Sequence, residues 1–333
     1  MHHHVVGLEA IHVQYPEIVA QPPHTVTLTS YVNTSAEDLK DRVKDATIVI
    51  TSVVKITAEI LSPEVTPKLQ AIAAMSTGTD HIDMKAAKAR GILVFNCPHA
   101  SADVVANSAI GLYFAARRRT VMMHNMVIRE PSEWKEKGSI VKYMKTARGD
   151  APLSCEDEIC GIIGYGGIGK RIEALAKGLR MQVLLADRKA NGQKKGSQGR
   201  IPFSEVLARS TVLMILVPKT PETLNLISTA ELETMNPHAV IVNIARGGIV
   251  DESAIVTALK EGLIAGYATD VFEIEPAEGA KDSPLLAPDV QSLNLTFSPH
   301  AAWFGERTRH NLITMLKANI EAFIAGTPQN VVA

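Results

Sequence analysis

Short apolar runs alternate with helix-spaced segments along almost the whole chain, and this alternation predicts the elements before any chemistry is considered. Val26 to Val32 alternates with the period of two of a half-buried strand. Ala46 to Val54 and Leu69 to Met75 are continuous apolar runs of the kind buried on both faces of a parallel sheet. Asp83 to Ala89 reads as a short helix closed by Gly91, and Ile92 to Phe95 resumes a strand. The pattern then predicts one long helix from about Ala102 to Val127, apolar on several faces, followed by a polar loop from Lys135 to Asp150. Ile159 to Ile163 and Val183 to Ala186 are strands. Between them Ile168, Ile172, Leu175, Ala176 and Leu179 recur at helical spacing. Thr211 to Val217, Ala239 to Ile244, Gly266 to Asp270 and Val290 to Phe297 are further strands, and Asp251 caps a helix ending near Gly262. The tail from Thr308 to Ala325 places Leu312, Met315, Leu316, Ile320 and Phe323 on one helical face.

Strand-helix repetition of this kind predicts α/β architecture, with a doubly wound parallel sheet of about six strands in the second half. The first hundred residues carry the same pattern, and the helical tail is expected to return to them. The expectation is two doubly wound parallel-sheet domains. A Rossmann nucleotide domain, residues 106–299, is inserted into a flavodoxin-like substrate domain made of residues 1–105 and 300–333.

A length of 333 residues suits two domains of ordinary size. The net charge of −1 gives no reason to expect a nucleic-acid partner, and no apolar run is long enough to span a bilayer. Met1-His2-His3-His4 lacks the charged and apolar regions of a secretory signal; the histidines, native or part of a tag, are set aside. Cys97, Cys155 and Cys160 are too few and too uneven for a disulfide framework, which points to a reducing, cytoplasmic setting. Cys155 and Cys160 have no second pair of ligands, so no metal site is expected.

The most specific local signal is Gly164-Tyr-Gly166-Gly167-Ile168-Gly169, between a predicted strand and a predicted helix. Gly164 allows a sharp turn, Gly166 a close approach to a pyrophosphate, and Gly169 tight helix–sheet packing; the helix N-terminus favours the phosphates. Asp187 follows Gly169 by eighteen residues, at the end of the next strand. A carboxylate there accepts hydrogen bonds from ribose hydroxyls and repels a 2′-phosphate, which favours NAD(H). Arg188 and Lys189 beside it keep NADP(H) open, because a guanidinium also holds a phosphate. The run from Lys189 to Arg200 reads as a solvated loop rich in Lys, Gly and Gln.

A nicotinamide cofactor acting on a 2-oxo acid needs a cation, a general acid with a pKa near neutrality, and a group that tunes that acid. Three residues fall just beyond predicted strands, where doubly wound sheets bind ligands: Arg246, Glu275 and His300. Asn243-Ile244-Ala245-Arg246-Gly-Gly-Ile-Val-Asp251-Glu252, Asp270-Val-Phe-Glu-Ile-Glu275-Pro276 and Pro299-His300 follow the glycine motif in order. With these four motifs the chain resembles the D-isomer-specific 2-hydroxyacid dehydrogenase family over essentially its whole length. It is similar above all to the glycerate dehydrogenase and glyoxylate/hydroxypyruvate reductase branch, which Trp303 resembles in particular.

The resemblance implies roles residue by residue. Arg246 pairs with the substrate's carboxylate and carbonyl oxygen, His300 is the acid–base, and Glu275 holds its tautomer and raises its pKa. Thr77 and Gly78 offer backbone N–H groups to the carboxylate, and Trp303 stands near the substrate or packs between domains. The cofactor is met by Gly164, Gly166, Gly167, Ile168, Gly169, Asp187 and Arg188. It is met also by Val217, Pro218 and Thr223 on the adenosine side, by Ile244 and Ala245, by Asp270 near the carboxamide (or capping the following turn), and by His300. Ser76 departs from the family's usual glycine and Asn107 from its usual acidic residue. The helix after Ala102 resembles the family's dimerisation arm, which implies a homodimer. The implied activity is NAD(P)H-dependent, reversible reduction of small 2-oxo acids such as glyoxylate or hydroxypyruvate to D-2-hydroxy acids. Two other readings stay open: a dinucleotide-sensing co-repressor-like protein, and a formate dehydrogenase, which Glu275 disfavours because that group typically pairs its histidine with Gln.

Overall fold

The computed structural model describes residues 1–189 and 199–333; most of the Lys/Gly/Gln-rich run after Lys189 lies outside the described residues. The chain divides into two compact units, Met1–Ser101 with Phe304–Ala333, and Ala102–Trp303.

In the first unit the chain forms β1 (His2–Gly7), β2 (Thr25–Ser30), α1 (Ala36–Val43), β3 (Ile48–Thr51), β4 (Ala71–Ala74), α2 (Met84–Ala89) and β5 (Leu93–Phe95). The sheet order is β2-β1-β3-β4-β5 and every pairing is parallel, the flavodoxin-like order. Ser35 and Asp83 start the two helices by accepting hydrogen bonds from the amides of Asp38 and Ala86. The core of this unit gathers Val6, Leu8, Val49, Ile72, Ala74 and Val94 with Leu39 and Val43 of α1.

The histidines set aside on sequence grounds belong to this sheet. Val5 and Val6 are fully buried in β1, between β2 and β3, and the imidazoles of His2 and His4 hydrogen-bond threonine hydroxyls of β2. Three histidines ahead of a short apolar run conceal the strand's pattern. His3 is buried, its Nε2 lies 3.1 Å from His24 Nδ1, and its ring stacks on His24 and meets Phe323 edge-on. Burial, then the neighbouring His24, pulls the His3 pKa below its ordinary 6.5. A histidine whose folded pKa is depressed stabilises fully above its unfolded pKa, and that contribution is lost as pH falls. The melting temperature is therefore expected to drop as pH falls from 7.5 to about 5. In His3→Phe the drop should be smaller; an identical slope in the variant would remove His3 as the cause.

The second unit begins with α3 (Ala102–Arg117), α4 (Thr120–Ile128) and α5 (Glu133–Lys137). The single long helix expected here is broken at Arg119, which takes a left-handed backbone, φ 49°. Periodicity does not register one left-handed residue, and the two pieces have different surroundings. Ala106, Ala109, Tyr113 and Ala116 bury one side of α3, whereas no residue of α4 is buried. The expected polar loop after Lys135 holds the end of α5 and a 3-10 turn at Val141–Met144.

The nucleotide-type fold follows: β6 (Ile159–Ile163), α6 (Gly167–Gly178), β7 (Gln182–Leu185), α7 (Phe203–Arg209), β8 (Val212–Ile215), α8 (Thr229–Leu232), β9 (Val240–Asn243), α9 (Glu252–Lys260), β10 (Gly266–Thr269) and β11 (Leu295–Phe297). These strands form a parallel sheet in the order β11-β10-β9-β8-β6-β7. Alternation along the strands splits the core in two. Leu213, Ile215 and Ile241 face one cluster with α7 and α9, while Val212, Met214, Val240 and Val242 face the other with α3 and α6. The last predicted strand is shorter than expected because Pro288–Val290 forms a 3-10 turn.

The chain then returns to the first unit through α10 (Glu306–Ile324). Leu312, Leu316, Ile320 and Ile324 are buried there, and Asn311 and Asn319 donate from their side chains to the carbonyls of Ala100 and Asn96. Among the described residues no helix is long and apolar enough to cross a membrane.

Candidate active site

The second unit's predicted residues follow the carboxyl ends of successive parallel strands, the edge at which such sheets bind ligands. After β6 the chain turns at Gly164, whose φ of 99° is available to glycine at no steric cost. A Cβ there would also lie 2.7 Å from the backbone of Leu216, just past β8. Gly166 caps α6, and nothing stands within 4 Å of where its Cβ would be. Gly167, Ile168 and Gly169 form the first turn of the helix, with Ile168 packed on the sheet. This open backbone at a helix N-terminus fits a dinucleotide pyrophosphate.

Asp187 follows β7, with its amide bonded to Ile201 O and its Oδ1 accepting the Arg188 amide at 2.9 Å. The Arg188 side chain is exposed. After β8, Val217 lies beside the glycine turn and Pro218 is exposed. The Thr223 hydroxyl donates to Pro218 O at 2.7 Å and accepts the Thr220 amide, so it braces this loop.

Arg246 lies three residues beyond β9, in a turn tied by Asn243, whose Oδ1 accepts the Ala245 amide and whose Nδ2 donates to Arg246 O. Ile244 and Ala245 are buried beneath it. A Cβ on the next residue, Gly247, would fall 1.8 Å from Phe272 O, so glycine is required for this turn to meet the loop after β10.

That loop carries Asp270 and Glu275. Asp270 is 2 % exposed; its carboxylate accepts the Ser298 hydroxyl and the amides of Ala301 and Ala302, while its carbonyl accepts the His300 amide at 2.7 Å. It thus caps the turn that holds His300 at φ 51°. Burial pushes its carboxyl above the ordinary range against these hydrogen bonds. Glu275 Oε2 lies 2.7 Å from His300 Nδ1, and its Oε1 accepts the Phe272 amide at 2.8 Å.

The hydrogen bond that His300 donates to the Glu275 carboxylate raises the His300 pKa above 6.5, opposed by burial and by the Arg246 charge. Burial works to raise Glu275, but the His300 and Phe272 hydrogen bonds, with the charges of His300 and Arg246, leave it lowered. The structure therefore brings a carboxylate-tuned imidazole and a guanidinium together at one sheet edge. Sequence reading passes over Ser298 and Glu252, both bonded into the same loops. The signal for Glu252 is its place after the cap residue Asp251; Ser298 carries none.

Thr77 and Gly78 lie in the first unit, after β4. Thr77 Oγ1 donates to Cys97 O, Ser76 Oγ donates to Gly78 O, and Asn96 donates to Thr77 O. The loop's carbonyls are thus occupied, while among the described residues the amide N–H groups of Thr77 and Gly78 have no acceptor. Trp303 packs against the α3–α6 side of the second unit's core.

Fold and site together define an α/β oxidoreductase with a dinucleotide-binding sheet. Residues 110–302 match the family description "D-isomer specific 2-hydroxyacid dehydrogenase, NAD binding domain". The chain is 37 % identical to a glycerate dehydrogenase of Methylorubrum extorquens, over 89 % of this chain and 88 % of that one. It is 35 % identical to a glyoxylate reductase of Pyrococcus furiosus, over 85 % and 83 %. A D-lactate dehydrogenase of Aquifex aeolicus, solved with NAD and lactic acid, superposes with a TM-score of 0.74 at 25 % identity, over 90 % of each chain. The protein belongs to the D-isomer-specific 2-hydroxyacid dehydrogenase family.

Proposed function

We propose that the protein reduces small 2-oxo acids of the glyoxylate and hydroxypyruvate type to D-2-hydroxy acids, reversibly, with NAD(H) favoured over NADP(H) by Asp187. The observation that carries this reading is the 2.7 Å Glu275–His300 contact beside Arg246, on the sheet edge that bears the glycine turn. With its pyrophosphate held at the Gly164–Gly169 turn, a reduced nicotinamide dinucleotide would supply the hydride. The Arg246 guanidinium orients the substrate through its carboxylate and carbonyl oxygen. His300 Nε2 gives its proton to the carbonyl oxygen as the alcohol forms, and Glu275 holds Nδ1 and stabilises the imidazolium. The Thr77–Gly78 amides are assigned to a substrate carboxylate. Trp303 is assigned to substrate selection at the edge of its own unit.

The exposed apolar side chains Val127, Ile128 and Trp134 along α4 and α5 support a homodimer, which sedimentation would check. The free thiols of Cys97 and Cys160, buried and pushed up to about 12, suit the cytoplasm.

A panel of 2-oxo acids assayed with NADH and with NADPH tests the proposal. Reduction needs protonated His300, so kcat is expected to be level at acid pH and to fall as pH rises through a pKa above 6.5, with oxidation showing the opposite limb. Cofactor binding without turnover of any 2-oxo acid, or formate as the preferred substrate, would overturn it.

A further inference from the structure

Glu252 is a buried acid that the proposed chemistry does not use. It opens α9 directly after the cap residue Asp251, and it is 5 % exposed. Its Oε1 accepts the Glu273 amide at 2.9 Å and its Oε2 accepts the Ser283 hydroxyl at 2.5 Å. Ser283 is 1 % exposed and its oxygen accepts the Leu285 amide, so its orientation is fixed as well.

These contacts meet on two successive peptide groups, Val271–Phe272 and Phe272–Glu273. The Phe272 amide donates to Glu275, the Phe272 carbonyl lies hard against Gly247, and the Glu273 amide donates to Glu252. The Phe272–Glu273 peptide is thereby clamped between the Arg246 turn and the start of α9. The same loop presents Glu275 to His300. A buried carboxylate is costly without partners, and burial pushes this one up against its two hydrogen bonds, with the charges of Glu273 and Asp251 adding to the push. The buried Tyr267 of β10 in turn feels the Glu252 charge, which adds to the burial that pushes its hydroxyl up. A stabilising role alone would be met more simply by an apolar side chain.

We propose that Glu252 is a positioning residue for the acid–base pair: by holding the Phe272–Glu273 peptide against Gly247 it keeps Glu275 on His300. The inference rests on the acid–base reading of His300 given above. Among the described residues the charged groups facing His300 are Glu275, Arg246 and Asp270; Asp270, at the start of the same loop, is held separately by Ser298, Ala301 and Ala302, whereas Glu275 lies beyond the clamped peptide.

The test compares Glu252→Ala, Glu252→Gln and Ser283→Ala in the full chain. The readouts are the His300 imidazole titration by NMR without cofactor, the pH profile of kcat, and the NADH dissociation constant. In Glu252→Ala, loss of the clamp is expected to lower the His300 pKa by about one unit, carry the kcat limb with it, and cut kcat about tenfold near pH 8, with NADH affinity unchanged. Glu252→Gln keeps an oxygen for the Glu273 amide and should restore most of both. Ser283→Ala should shift His300 the same way, by less. An unmoved His300 titration in folded Glu252→Ala overturns the inference; if that variant does not fold, an unmoved titration in Ser283→Ala does. A wild-type kcat profile with no limb following the His300 titration sinks the acid–base reading instead, so the two failures are distinguishable.

Discussion

His300→Ala is expected to lower kcat for 2-oxo acid reduction by about two to four orders of magnitude, the range attached to losing a positioned general acid. Its NADH dissociation constant should stay within about twofold of wild type, because the variant leaves the glycine turn and Asp187 untouched. Arg246→Lys should lose rate for a different reason. It keeps the charge but gives up the planar fork that holds a carboxylate in two places, so KM should rise and kcat fall together. Glu275→Gln separates the tuning from the proton transfer: the alkaline limb should move to lower pH because the hydrogen bond that raises His300 loses its negative charge. Steady-state kinetics with fluorescence titration of NADH measures all three. A His300→Ala enzyme keeping more than about a tenth of wild-type turnover would remove the imidazole from the mechanism.

The second large effect concerns stability. Arg117 in the last turn of α3 and Glu158 just before β6 form an ion pair with both side chains almost fully buried, 3 % and 0 % exposed. Arg117 Nε and Nη2 donate to the carboxylate at 2.6 and 2.9 Å, Nη1 donates to His238 O, and Nη2 donates also to Thr211 O. Glu158 also accepts the hydroxyls of Tyr113 and Thr211. Removing one partner strands the other charge in a dry site, at a cost of about 3–5 kcal/mol. Glu158→Ala is therefore expected to lower the melting temperature by roughly 10 °C, taking about 2–4 °C per kcal/mol for a unit of this size. Replacing both residues with apolar side chains of similar volume should recover much of the loss. Urea unfolding of the two variants checks this. Equal stability of Glu158→Ala and wild type would mean that the site stays wet.

The strand ends were readable because their signals are local. Gly164, Asp187, Arg246, Asp270 and His300 each follow an apolar run whose length and β-branched content mark a buried strand. Local signals also failed in definable ways. The imidazoles of His2 to His4 hide β1, because histidine carries no apolar alternation even when it lines a sheet. Arg119 ends α3 through one backbone angle that side-chain spacing does not encode.

By itself the sequence determined the alternation of strand and helix, the glycine turn, and the set of polar residues delivered to one sheet edge, since each depends on spacing within a few residues. Only the tertiary structure decided that Glu275 Oε2 meets His300 Nδ1, that Gly247 abuts Phe272, and that Glu252 grips the loop between them. Those contacts join residues some twenty to thirty positions apart, so no spacing within a few residues encodes them; the chain has to fold before they exist.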